Sequence, residues 1–475
     1  MAQKIKHEQA LATVLKTADD VFNKYGPPFL GDGSDIALND RAVAVLCSTK
    51  HMIRYEPRDK AYERYDAERG QWRVVNELAV ERKLDELLID LGEKYEQQDF
   101  VRRISSSKLN SLSKMLRHHD VRVEMVSTES LIHASNGVID LSENRPKLMP
   151  HGPEYPFHTS SEIKFEPKAG CPKFTKSLLV PALVPADIAL LQKYCGSMLL
   201  GPNTCHGLMI IRGTAGGGKS TLVSIVEKII GEQSVAYLRT SHLGGRFETS
   251  AFVGKRLLVG KDVPGDTLAA GGARLLKSLV GNDLMQAEVK YNPEKKALRG
   301  DFHVMIVSNN NLHIALDGDT EAWGRRLLMV DFVNVKPGRP IPNLAERLVA
   351  EEGSGILNWL IAGALAYRAE MNKSGHLQLT DAQHARIKTL LQDSDNVTEF
   401  VKNWLIGRTG HDVSSGELWL GYHKTCRDQK WTPVPMHKFQ TRVPELMAQV
   451  FSTTRRNDIL REGKAVRGFK NVALA

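Results

Sequence analysis

Cysteine is scarce in this chain, with five in 475 residues. Cys47, Cys171, Cys195, Cys205 and Cys426 are scattered and form no CxxC pair. That excludes a disulfide framework or a cysteine zinc site and fits a reducing, cytoplasmic compartment. Long apolar runs are missing too. The longest, at 356–367, is interrupted by Asn358 and falls short of the roughly 20 residues that a membrane span needs. No membrane association is expected. The first sixteen residues, MAQKIKHEQALATVLK, hold neither a long apolar core nor a small-residue cleavage site, so no secretory leader is expected. There is no internal repeat and no low-complexity tract. Acid is in mild deficit: Lys+Arg 64 against Asp+Glu 55 gives +9. The excess is uneven. Residues 421–475 carry eleven Lys/Arg and four Asp/Glu, a net +7, and a compact basic segment suits a polyanion partner.

With 42% hydrophobic and 25% charged residues, the composition is that of a globular chain. Its length suggests two to four domains. Residues 1–120 are mostly polar-helical in pattern; at 77–95, Leu78, Leu84, Leu87, Leu88 and Leu91 recur at roughly helical spacing. Residues 61–75, with Trp72 after Arg69-Gly70, read as a short hairpin. Residues 150–173, rich in Pro, His and Gly, read as a connector, and 178–200 as helix. From Gly207 the texture changes. Apolar strand-like runs at 208–211, 256–259, 302–307 and 327–332 alternate with helical stretches, which predicts a parallel α/β sheet. Residues 345–370 read as a closing helix.

Gly213-Thr214-Ala215-Gly216-Gly217-Gly218-Lys219-Ser220 fits GxxxxGK[ST] in full, between an apolar strand and a helix, with Thr221 next. Such a loop folds its N–H groups around a β-phosphate, and glycines are needed where a Cβ would clash. Lys219 is expected on the β/γ-phosphates of ATP and Ser220 on Mg²⁺. Asp262, after the apolar run at 256–259, is the expected acidic partner of Mg²⁺, with Asp266 a possible helper. The alternative is a turn before Pro264-Gly265. Asn309, at the end of the apolar run at 302–307, is expected to bond the γ-phosphate or the attacking water. Its alternative is a strand-ending turn, since Asn310 and Asn311 follow. In Trp323-Gly324-Arg325-Arg326-Leu327, one arginine would reach a neighbouring subunit's nucleotide; otherwise the pair is solvated.

These motifs, in this order, resemble the superfamily 3 helicases, and among them the poxvirus-type and phage or plasmid replication primase-helicases. The resemblance spans roughly residues 125–475. It also draws on Leu276-Lys277-Ser278-Leu279-Val280-Gly281-Asn282-Asp283, on Gly355-Ile356-Leu357-Asn358-Trp359, on Ser135-Asn136-Gly137 and on the C-terminal residues 413–474. It implies a P-loop AAA+-like motor with a parallel sheet at 205–375. A mainly helical N-terminal region at 1–124 and a helical collar at 125–204 would precede it, and a winged-helix DNA-binding domain at 381–475 would follow. It implies ATP and Mg²⁺ as cofactors, a homo-oligomer in the form of a hexameric ring, and single- and double-stranded DNA as partners. The sequence departs from the family at Lys261, which precedes a lone Asp262. Residues 1–120 hold no paired-carboxylate primase motif, so a separate primase is expected.

The resemblance places Lys290, Lys295 and Lys296 on a hairpin projecting into the ring channel, where lysines would track phosphates; the alternative is a solvated turn at Asn292-Pro293. In the C-terminal domain Phe439, Leu446, Ile459 and Phe469 would form a small core, and Arg455, Arg456 and Arg467 a basic, DNA-contacting wing. A protein-docking domain is the alternative there. The leading function is an ATP-dependent replicative DNA helicase. Alternatives are a sequence-specific initiator that uses ATP for assembly or melting, and a small-molecule kinase, for which the Asn strand and the Arg motif are unneeded.

Overall fold

The computed structural model describes residues 17–475 except 32, 58–59, 119–124, 128–129, 144, 160, 240–242, 244–247, 262, 264–271, 289–295, 310–311, 313, 315, 317–318, 334–340 and 430. At its centre lies a five-stranded parallel sheet of β1 (Leu208–Gly213), β2 (Val235–Tyr237), β3 (Leu257–Gly260), β4 (His303–Ser308) and β5 (Leu327–Phe332), in the spatial order β2-β3-β4-β1-β5. Its strands are nearly continuous apolar runs because both faces are covered. Met209, Ile211, Val259, Met305, Val307 and Val330 face one layer, with the helices Pro185–Ser197, Lys219–Ile230 and Leu344–Ser374. Leu208, Ile210, Leu258, Val304, Ile306 and Met329 face the other, against Gly272–Val280, Trp323 and the helix Asp381–Ser394. The split follows from the two-residue period of a strand.

The helix Asp381–Ser394 therefore belongs with the central sheet. Ile387, Leu390 and Leu391 are buried in its core. Arg386 pairs with the buried Asp187 at 2.5 and 2.7 Å, and Gln383 donates to the same carboxylate at 2.9 Å. The packing thus moves the expected boundary at 381 to the junction near 395. Beyond it, Asn396–Asn403, Ser415–Gln429 and Met436–Phe451 pack on an antiparallel sheet ordered Leu405–Ser414, Lys464–Leu474, Arg456–Arg461. Phe439, Leu446, Ile459 and Phe469 are buried there.

The N-terminal region is less helical than its composition suggests. The helices Asp40–His51, Glu77–Lys94 and Ser106–Leu116 share a core with a three-stranded antiparallel sheet of Ile53–Glu56, Ala61–Asp66 and Gln71–Val75. The hairpin at 61–75 is present. Its third strand, only four residues long, carries too few alternations to be read. The expected helical collar opens instead on a second antiparallel sheet, Leu131–Ala134, Gly137–Asp140 and Lys147–Met149. The expected helix at 178–200 is divided into a π-helical segment, Phe174–Leu179, and Pro185–Ser197. Pro181 and Pro185 lack the N–H donors that a continuous helix needs there. No helix among the described residues is long and apolar enough to cross a membrane.

Candidate functional site

The carboxyl ends of β1 and β4 meet the Gly-rich loop. The loop leaves β1 at Gly213 and enters the helix Lys219–Ile230 at its first residue. Gly213 has φ 151°, and a Cβ there would lie 2.4 Å from the Phe332 carbonyl oxygen of β5, so only glycine lets the two strands run this close. Gly216 has φ 80°, and a Cβ there would meet nothing within 4 Å. The loop thus turns through left-handed conformations with one side open. Thr214, Ala215 and Ser220 are exposed; Gly217, Gly218 and Thr221 are half-buried.

Lys219 is 4% exposed. Its Nζ donates to the carbonyls of Gly213 (2.8 Å) and Thr214 (2.7 Å) and to Oδ1 of Asn309 (2.8 Å). Two residues 90 positions apart, both singled out from sequence, therefore share one hydrogen bond. The register explains it: β4 runs parallel beside β1, pairing Ser308 with Arg212, so the residues just beyond each strand emerge side by side. β3 flanks β4 on its far side. Asp262, two residues past the end of β3, lies outside the described residues, as does Asp266.

Lys261 is described. Its ammonium pairs with Glu227 of the P-loop helix at 2.9 Å and lies 5.0 Å from the Tyr237 ring centre. Burial pushes the Glu227 carboxyl up, opposed by Lys261. Lys261 thus ties β3 to the helix carrying Lys219. A second network went unread in the sequence. Arg212, on the P-loop strand, donates to both oxygens of Asp331 on β5 at 3.0 and 2.8 Å. Arg386 reaches the same carboxylate at 3.7 Å while clamping Asp187. These four residues come from four separated elements, so no spacing announces them.

Arg325 and Arg326 close the short helix Thr320–Arg326, before β5. Arg325 is exposed. Arg326 is half-buried, and its Nη1 donates to the Ala322 carbonyl at 3.0 Å. A Cβ on Gly281 would lie 3.5 Å from Arg326 Nη2. Arg326 is thus turned into the chain, and Arg325 outward.

The strands Leu284–Ala287 and Lys296–Arg299 form an antiparallel hairpin, with Ala287 opposite Lys296. Lys290 and Lys295 belong to its connection and lie outside the described residues; Lys296 opens the return strand. In the C-terminal unit, Arg455, Arg456 and Arg467 are exposed. Arg456 and Lys470 both reach Asp458 at 3.0 Å. Arg461 clamps Glu417 at 2.7 and 2.8 Å, which holds that carboxyl down to about 2. Arg455 and Arg467 instead line a groove beside Trp419 and Phe439.

Three family models match the chain in order: "D5 N terminal like" at 40–180, a family of unknown function (DUF5906) at 211–326, and "Poxvirus D5 protein-like" at 392–471. No curated protein matches. Solved structures similar to the chain include three apo structures of the C-terminal region of NrS-1. They are 10–12% identical, cover 88–90% of this chain and 95–98% of theirs, and give TM-scores of 0.45–0.48. The first and last family matches lie to either side of the Lys219–Asn309 site in sequence, and both describe D5-like proteins.

Proposed function

We propose that this chain is an ATP-dependent DNA helicase of the superfamily 3, D5-like kind, acting in replication. The observation that carries the reading is the Lys219–Asn309 contact at 2.8 Å. It puts a cation and an amide, from adjacent strands of one sheet, at the mouth of a P-loop. A phosphate-binding lysine needs only the P-loop; a partner amide on the next strand also offers a group that can sense the terminal phosphate or orient water.

The open side of the loop at Gly216, where a Cβ would meet nothing within 4 Å, supports ATP as the ligand. Lys219 would hold the β- and γ-phosphates. Ser220 and Asp262 would hold Mg²⁺, which when bound neutralises phosphate charge. The helix Lys219–Ile230 aims its positive end at the same anion. The β2-β3-β4-β1-β5 order, with the Asn strand between the P-loop strand and the strand leading to Asp262, supports the AAA+-like reading. Arg325 is the better finger in this account because it is exposed, and a trans role for it requires an oligomer, which we take to be a hexameric ring. The hairpin that leads to Lys290, Lys295 and Lys296 supports a channel contact with DNA. The strand–helix–helix–hairpin order of 405–474 supports a winged helix.

The test is steady-state ATP hydrolysis by the full chain, with and without single-stranded DNA. The proposal expects DNA to stimulate turnover several-fold and Lys290→Ala to remove the stimulation while leaving basal hydrolysis. Hydrolysis indifferent to DNA would return the chain to the initiator or kinase readings.

A further inference from the structure

The C-terminal unit carries a groove that the motor does not explain. It lies between the starts of the helices Ser415–Gln429 and Met436–Phe451 and the hairpin formed by the last two strands. Leu418, Phe439, Val443 and Phe469 floor it, each no more than 3% exposed. Trp419 is half-buried at its edge, and Met436 is 48% exposed. Its volume is about 160 Å³; a cavity of roughly 150 Å³ accepts a benzene ring.

The charge around it is one-sided. Arg455 and Arg467 line the groove, and no carboxylate does among the described residues. Acids beside its lining residues are engaged elsewhere. Glu417, in the first turn of the first helix, is turned onto Arg461, Glu445 pairs with Arg442, and Asp458 holds Arg456 and Lys470. Three of the hairpin's cations are thereby answered within the chain. Arg455 and Arg467 have no carboxylate partner among the described residues. Tracking a DNA backbone takes several cations spaced along a path. Two guanidiniums beside a ring-sized apolar slot match a different shape, carboxylates next to an aromatic or branched apolar anchor.

We propose that this groove docks an acidic peptide segment of a partner protein. The apolar anchor sits against Trp419, Met436 and Phe439, and the flanking carboxylates pair with Arg455 and Arg467. The proposal does not depend on the ATPase reading.

Fluorescence anisotropy on the full chain tests it, with labelled ten-residue peptides of aspartate and glutamate that each carry one phenylalanine, tryptophan or leucine. Controls replace the acids by asparagine and glutamine, or the anchor by alanine. At least one anchored acidic peptide should bind with a dissociation constant on the order of micromolar, and both kinds of control at least tenfold more weakly. Arg455→Glu and Arg467→Glu should each weaken binding about tenfold, and Met436→Glu likewise, with thermal unfolding unchanged in the two arginine variants. Absence of binding by every anchored acidic peptide would overturn the proposal. So would peptide affinity indifferent to both charge reversals. If the reversals instead lowered affinity for random duplex DNA tenfold while no peptide bound, the two arginines would belong to DNA.

Discussion

The P-loop and the C-terminal hairpin are both basic, yet they hold their charge in opposite ways. Lys219 is buried at a strand end, where backbone carbonyls and Asn309 fix its ammonium. Arg456, Arg461 and Lys470 lie on the surface, and local carboxylates take up their charge. A count of basic residues gives the last 55 positions a net +7 and the P-loop a single lysine. Availability follows geometry more than number. One fixed cation aimed into an open loop suits a polyphosphate, whereas a clamped guanidinium contributes mainly to holding two elements together.

The largest expected effect lies on the P-loop side. Lys219→Ala should lower ATP hydrolysis by about a hundredfold or more, measured as phosphate release at saturating nucleotide. Near-normal turnover would break the contrast, because the buried cation would then be structural. Next come the two arginines of the short helix. Arg325→Ala should bind nucleotide yet hydrolyse it at least tenfold more slowly, and mixing it with Lys219→Ala protein should restore part of the activity through mixed interfaces. Arg326→Ala, which removes a group bonded within its own subunit, should show more loss of stability than rescue. The opposite pattern would exchange their roles.

Arg386→Ala sharpens the comparison from the side of a clamped cation. It leaves Asp187, 1% exposed, with an uncompensated charge, at a cost of about 3 kcal/mol read from denaturant unfolding. Deleting residues 396–475 should leave this clamp in place, whereas a cut at 381 removes it and should destabilise the central α/β unit itself. The smallest effect is at the surface. The Glu417 carboxyl lies near 2 in the folded chain against an ordinary 4.5. Its contribution to stability is therefore complete above about pH 4.5 and is lost as pH falls towards 2. Glu417→Gln should flatten that acid dependence in tryptophan-monitored unfolding of the C-terminal unit.

Much of the central α/β unit was legible because its signals are local. A strand, a glycine loop and a lysine are consecutive, and β4 ends in an amide that parallel pairing carries to the loop. The run at 327–332 coincides with β5. What escaped reading was non-local. The Arg212–Asp331–Arg386–Asp187 network joins residues up to 199 positions apart, and nothing in the period of an apolar helix marks Asp187 as the member that is clamped. The strand at 53–56 and the sheet at 131–149 escaped because strands of three or four residues give too few alternations against a polar background. Composition likewise counts Arg456 and Arg461 as charge, while their pairing with Asp458 and Glu417 depends on how the hairpin folds back.

Strand separation decides whether the chain is a helicase. A forked DNA duplex with a labelled strand is mixed with the full chain, ATP and Mg²⁺, and the released strand is followed over time. For a helicase, release should require ATP, rise with nucleotide concentration as hydrolysis does, and disappear in Lys219→Ala. Robust DNA-dependent hydrolysis by the intact chain with no strand release on any fork polarity would contradict that reading.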